Sequence, residues 1–173
     1  MSIDVLKQHF TKVYAKESDA LFRFCVLRVS DRERALDLTQ ETFTRLWQSM
    51  VDGKSPKNPR AFLYVVARNL IIDWYRKVKS VSLESLYDEE MNRPYDMADE
   101  KLFNEIEINS DAKRALNMIN NLEAQYREVL FLRYVADLPP KDIAEILGLN
   151  VNLVSVRITR GVKNLRKIMG LNT

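Results

Sequence analysis

Residues 138–169 read LPPKDIAEILGLNVNLVSVRITRGVKNLRKIM, and this stretch decides the fold. Pro139 and Pro140 stop any helix that precedes them, because proline has no amide to donate and its ring clashes with the turn before it. Lys141–Leu147 then has helical spacing, and Gly148 ends that helix as a residue tolerant of positive φ. A second helix is expected from about Asn152 to Met169. Ala144 lies midway in the first helix, where a small side chain lets the second helix cross closely. Val154 and Ile158, four residues apart, pack back toward it, and Val162, Leu165 and Met169 continue the stripe. The opposite face carries Asn152, Ser155, Thr159, Arg160, Lys163, Arg166 and Lys167. Residues Val151–Thr173 hold five basic residues and no acid. This is the layout of a helix-turn-helix whose second helix has an apolar back and a basic, amide-bearing front, as major-groove docking requires. An ordinary helical hairpin with a solvated basic face has the same periodicity. The small residue, the turn glycine and the basic front together favour DNA binding.

Upstream, Asp111–Asn120 and Ala124–Tyr134 also show helical spacing. Residues 80–109 do not: SLESLYDEEMNRPYDMADE is acidic, contains a proline and shows no sustained apolar face, so it reads as a flexible linker. A helix is expected to begin in its later part, from Ala98 to about Ile108. Before the linker the pattern is helical again. Ile3–Lys16 reads as a weak amphipathic helix and Ala20–Val29 as a separate, buried one. Ser30 or Asp31 can cap a third, running to about Met50. The segment DGKSPKNP then breaks the pattern, and a further helix runs from about Arg60 to Lys79, with Phe62, Leu63, Val66, Leu70, Ile71 and Trp74 inward. The expected fold is therefore all-α: two small helical domains, residues 1–79 and 110–173, joined by the acidic linker 80–109.

Charge follows the same division. The whole chain has 27 basic and 24 acidic residues, a net charge of +3. Residues 1–79 carry 15 basic and 9 acidic residues, net +6; residues 80–112 carry 2 and 10, net −8; residues 113–173 carry 10 and 5, net +5. Both cationic modules suit a polyanion.

Several function classes are disfavoured. One histidine, His9, sits near the N-terminus, and the one cysteine, Cys25, lies among apolar neighbours in LFRFCVLRV. Neither resembles a positioned base or nucleophile. No glycine-rich phosphate loop occurs, and one cysteine builds neither a disulfide framework nor a zinc site, so no cofactor and no metal is expected. No apolar run approaches the ~20 residues needed to span a bilayer. A cytoplasmic protein without membrane insertion is expected.

The order of motifs is more specific than the helix-turn-helix alone. DLTQETFTRLW (37–47) is followed by NPRAFLYVVARNLIIDWYRK (58–77), and REVLFLRYVADLPPKDIAEILGLNVNLVSVRITRGVKNLRK (127–167) lies beyond the linker. Together these resemble the bacterial RNA polymerase sigma factors of the extracytoplasmic-function group, over roughly residues 15–170. The resemblance implies a transcription initiation factor, not an enzyme, that binds core polymerase and promoter DNA and has an anti-sigma factor as a further partner. It implies that Asp37, Gln40, Glu41, Thr44 and Gln48 dock on the clamp helices of the polymerase largest subunit. It implies that the next helix and its preceding loop read and open the −10 element through Lys54, Lys57, Arg68, Asn69, Arg76 and Lys77. Asn69 is the expected contact to an extruded base, since an amide can read a Watson–Crick edge. Among the aromatics, Phe62 and Trp74 read as core, and Tyr64 and Tyr75 as candidates to stack on bases. The −35 element falls to Asn152, Ser155, Val156, Arg157, Thr159, Arg160 and Lys163.

The chain departs from the family pattern in places. Asn152-Leu153 stands where a glycine-threonine is usual, and Ser155-Val156 where a basic or small polar pair is common. NLEAQY lacks a frequent proline. Gly161 replaces an alanine, at an expected cost of about 1 kcal/mol in a helix interior. Three alternatives differ in kind: a helix-turn-helix regulator that binds duplex DNA without polymerase, an enzyme with an appended DNA-binding domain, and a scaffold with no complementarity to DNA.

Overall fold

The computed structural model describes residues 2–29, 31–82 and 110–171. The expected linker helix at Ala98–Ile108 lies outside them. The chain divides into two compact units, Met1–Pro94 and Tyr95–Thr173. All regular structure among the described residues is helical.

The first unit holds α1 (Ile3–Val29), α2 (Arg32–Val51) and α3 (Pro59–Ser82). The two helices expected over residues 3–29 are one helix of 27 residues. Glu17-Ser18-Asp19 contains no breaker, and Glu17 is buried rather than a solvated joint. Its carboxylate pairs with Arg60 Nε at 3.2 Å, so a partner in α3 compensates the polar interruption. Asp31 caps α2: its side chain accepts from the Arg34 amide at 2.9 Å. α3 extends to Ser82, beyond the expected Lys79.

Leu21, Phe24, Cys25 and Leu27 of α1 meet Ala35, Leu38, Phe43 and Leu46 of α2 and Leu63, Tyr64, Ala67 and Ile71 of α3 in one core. Two expectations for the aromatics are reversed here. Tyr64 is fully buried, edge-on to Phe24 with ring centroids 5.1 Å apart. Tyr75 is half-buried, and its hydroxyl donates to the Arg28 carbonyl at the end of α1. Phe62, Val66, Leu70 and Trp74, expected inward, are only half-buried. The stripe that enters the core is the one through Tyr64, Ala67 and Ile71.

Burial pushes the Cys25 thiol up to about 11 from its ordinary 9.0, against a hydrogen bond with Thr39 and the charge of Arg28. Burial likewise pushes Tyr64 up to about 12 from 10.0; Arg60 opposes this and Glu17 adds to it. Both groups hold their protons more tightly folded than unfolded. Their contribution is complete below about pH 9 and is lost as pH rises through about 9 to 12. Within its window each group steepens the loss of stability toward about 1.4 kcal/mol per pH unit. Urea midpoints of the wild type, Cys25→Ala and Tyr64→Phe between pH 8 and 11.5 test this. Each variant is expected to lose less midpoint than the wild type over its own window; parallel curves for all three contradict the assignment.

The second unit holds α4 (Ser110–Asn120), α5 (Ala124–Leu130), α6 (Pro140–Leu147) and α7 (Val151–Ile168). The helix expected to run through Tyr134 changes character at Phe131–Val135, which forms a π-turn. The Ala136 amide there donates to the Phe131 carbonyl five residues back, at 3.2 Å. Asp137 follows with φ 51, a left-handed conformation that aspartate tolerates better than most residues. Pro140 opens α6, and Gly148 closes it with φ 64 while the Leu149 amide donates to the Ala144 carbonyl at 2.9 Å. Ile143, Ala144 and Val154 are buried where α6 meets α7. Ile119, Leu122 and Leu130 form a core on which Tyr126, Ile158, Val162 and Leu165 pack. Met169, expected to continue that stripe, is exposed at the end of α7.

Gly161 has a packing reason. A Cβ built there would lie 3.1 Å from Leu130 Cγ and Cδ1 and 3.3 Å from Tyr126 Cβ. The glycine lets α7 lie close on α5, which offsets part of its propensity cost.

Candidate functional site

The outward surface of α2 is set by what its other side buries. Ala35, Leu38, Thr39, Thr42, Phe43, Leu46 and Met50 face the core. The Thr39 and Thr42 hydroxyls donate to the carbonyls of Ala35 and Leu38, each at 2.7 Å, so both enter the core satisfied. At 100° per residue, Asp37, Gln40, Glu41, Thr44 and Gln48 then project within a wedge of about 100°. All five are exposed. Glu41 holds Arg45 at 2.8 Å, and Gln48 Nε2 donates to Asp52 Oδ1 at 2.8 Å. The structure thus gathers the five expected residues on one ridge.

A groove runs along each side of that ridge. One, toward α3, is lined by Arg34, Asp37, Glu41, Asp73, Trp74 and Lys77, with the Arg34 guanidinium over the Trp74 ring at 5.8 Å. The other, toward the first half of α1, is apolar and aromatic: Phe10, Tyr14, Phe43 and Trp47, rimmed by Gln40 and Thr44. Phe10 and Trp47 centroids lie 5.4 Å apart, and Tyr14 and Phe43 centroids 4.7 Å. Sequence reasoning missed Phe10 and Tyr14 as partners of Phe43 and Trp47. The available signal was the i, i+4 spacing of aromatics on both helices.

On α3, Asn69 and Arg76 lie on one outward face, with Asp73 between them 3.7 Å from Arg76. Phe62, one pair of turns before Asn69, joins the same face. Arg68 is half-buried at the side of it. Lys77 instead lines the α2–α3 groove with Asp37 and Glu41. Lys54 and Lys57 are exposed on the loop between α2 and α3.

α7 begins one residue earlier than expected. Asn150 is its N-cap, accepting from the Leu153 amide at 3.1 Å, so Asn152 sits exposed in the first turn. With Val154 and Gly161 buried, the opposite side presents Asn152, Ser155, Val156, Thr159, Arg160 and Lys163, all exposed. Arg157 is turned to the flank and half-buried, away from the other six. The Ser155 hydroxyl donates to the Val151 carbonyl and the Thr159 hydroxyl to the Ser155 carbonyl, both at 3.0 Å. With their protons so used, both oxygens face outward as acceptors, suited to the amino groups of adenine or cytosine. Among the described residues no three His, Cys, Asp or Glu side chains are placed to share a metal ion. Among them, too, no helix is long and apolar enough to cross a membrane.

The family model for sigma-70 region 2 matches residues 13–81, and that for sigma-70, region 4, matches residues 112–165. The chain is 28% identical over 168 residues to RNA polymerase sigma factor YlaC of Bacillus subtilis, covering 96% of this chain and 92% of that one. It is 29% identical over 157 residues to ECF RNA polymerase sigma factor SigL of Mycobacterium tuberculosis, covering 89% and 85%. In fold it is similar to sigma factor RpoE of Bartonella quintana, solved in complex with the anti-sigma factor NepR, with a TM-score of 0.65 at 20% identity over 96% of this chain and 99% of that one. CnrH, solved with the cytosolic domain of CnrY, gives a TM-score of 0.62 at 22% identity over 96% and 91%.

Proposed function

Because the chain belongs to the sigma-70 family, in its extracytoplasmic-function group, and is a promoter-specific transcription initiation factor rather than an enzyme, we propose how its residues divide that work. Residues 1–79 bind core polymerase and the −10 element, residues 80–109 link, and residues 110–173 bind the −35 element. Asp37, Gln40, Glu41, Thr44 and Gln48 form the polymerase contact. A carboxylate and amide ridge gives charge-assisted hydrogen bonds to a basic helix, and the aromatic groove beside it receives that helix's apolar side. Asn69 and the 52–58 loop before α3 read extruded −10 bases, Phe62 stacks beside them, and Arg68, Arg76, Lys54 and Lys57 hold single-strand phosphates. Lys77 serves the polymerase groove as much as the DNA. In α7, Asn152, Ser155, Val156 and Thr159 face base edges, while Arg157, Arg160 and Lys163 meet phosphate. An anti-sigma factor is included as a regulatory partner, the class of partner that NepR is for RpoE. The site of action is the cytoplasm.

The observation that carries this reading is the outward face of α7, where the helix buries Val154 and Gly161 and leaves six polar, basic or methyl-bearing residues free of the core. Run-off transcription from a promoter library tests it. Discrete start sites are expected with core polymerase plus this chain, and weak DNA binding by the chain alone. Tight, sequence-specific binding by the free chain with no effect on transcription supports the polymerase-independent regulator instead.

A further inference from the structure

The loop between α2 and α3 is tied at both ends. At its start, the Lys54 amide donates to the Ser49 carbonyl and the Ser49 hydroxyl donates to the Lys54 carbonyl, each at 2.8 Å. Gly53, at φ 73, makes the turn between them. At its end, the Asn58 side chain accepts from the Ala61 amide at 3.1 Å, and the Asn58 carbonyl accepts from the Phe62 amide at 3.0 Å. The loop is thus anchored to the last turn of α2 at its start and to the first turn of α3 at its end, so a shift of that turn moves the second half of the loop against the first.

The first turn of α3 is pinned by charge. Arg60 reaches back to Glu17 in the middle of α1, Nε to Oε2 at 3.2 Å. Glu17 is only 5% exposed, and Ala61, Leu63 and Tyr64 beside Arg60 are fully buried. Tyr64, one turn along, feels both charges. A buried ion pair is weak evidence for stability, because well-packed apolar residues of the same volume often serve as well or better. The buried Glu17 carboxylate does what an apolar contact cannot: it must keep a cation beside it, which disfavours registers of α3 against α1 that carry Arg60 away.

We propose that Glu17 and Arg60 are positioning residues for promoter recognition: they set the place of the 52–58 loop, and through it the −10 base preference, without touching DNA. The proposal rests on the reading of that loop and α3 as the −10 reader.

The test uses holoenzyme reconstituted with full-length Glu17→Gln, Arg60→Lys, or a chain with residues 54–57 replaced by glycines. The readout is the ratio of affinities for single-stranded −10 oligonucleotides differing at one base, measured beside core affinity and thermal midpoint. Glu17→Gln keeps the volume and loses the charge. A well-made base contact is worth roughly 5- to 150-fold in discrimination, so its partial misplacement is expected to lower the ratio about 10-fold, with core affinity within about twofold. Arg60→Lys keeps the charge and is expected to retain most of the ratio. A lowered midpoint with an unchanged ratio in Glu17→Gln assigns the pair to the scaffold and overturns the proposal. If Glu17→Gln fails to assemble, Arg60→Ala measured well below its midpoint takes its place, and an unchanged ratio there also overturns it. The glycine loop separates the two failures. If it loses the ratio while the pair variants keep it, positioning alone falls. If it too keeps the ratio, the reading of the loop falls as well.

Discussion

Reversing both charges on the α2 ridge, Asp37→Lys together with Glu41→Lys, is expected to lower affinity for core polymerase by about 100-fold, or about 2.7 kcal/mol, if the ridge is the proposed contact. Each reversal removes an attraction and installs a repulsion against the same basic partner. The domain itself loses little. Glu41 is about half-exposed, and its bond to Arg45 is a surface i, i+4 pair, worth roughly 0.3–0.5 kcal/mol. Asp37 is exposed on the groove that Arg34 and Lys77 also line, so the new lysines meet like charge there without entering the core. Circular dichroism of the double variant should therefore match the wild type while a fluorescence titration against core polymerase shifts. The deficit should shrink as salt is raised, since exposed charges are screened. An unshifted titration would falsify the assignment of the ridge.

The second large effect is electrostatic in another way. If the basic residues of α7 engage about four phosphates of a −35 duplex, log affinity falls against log salt with a slope near −3.6, roughly 150-fold between 50 and 200 mM. Fragment 110–173 suits the measurement because it contains its own core of Ile119, Leu122 and Leu130. Lys163→Ala is expected to reduce the slope by about 1 with little change in base preference. Ser155→Ala is expected to do the reverse. Its hydroxyl proton is spent on the Val151 carbonyl, so the lost contact is an acceptor, and preference should relax at a pair that offers an adenine or cytosine amino group. Arg157→Ala should have a smaller slope effect than Lys163→Ala, because Arg157 lies on the flank. Should Lys163→Ala alter preference while Ser155→Ala alters only the slope, the docking orientation is wrong.

What could be read from the chain depended on how local its cause was. The α6–Gly148–α7 unit was legible almost to the residue, because proline, positive φ and a small crossing residue act within a few positions. The α2 ridge was legible for the same reason: one helix, one period. α1 was misread as two helices because the residue that makes Glu17 tolerable inside the domain, Arg60, is 43 positions away. Tyr64 and Phe62 exchanged roles because residues 61–67, AFLYVVA, are apolar on nearly every side. Periodicity then shows that a helix is buried without showing which stripe is deepest. The aromatic groove needed i, i+4 pairs from two helices brought together by the fold. Gly161 looked like a cost until its neighbours on α5 were in place.

Cys25 turns the first domain into its own reporter. It is the chain's single sulfhydryl, has no exposed surface, and is held protonated at neutral pH. Alkylating reagents require a thiolate they can reach, so the closed domain is inert and modification proceeds through the fraction of molecules whose three-helix core has parted. Under conditions where reclosure outpaces alkylation, the observed rate divided by that of an unstructured thiol is the equilibrium constant for parting. A time course with a maleimide, run with and without core polymerase, then reads out how much the enzyme clamps this domain shut, with no label, no engineered residue and no promoter in the tube.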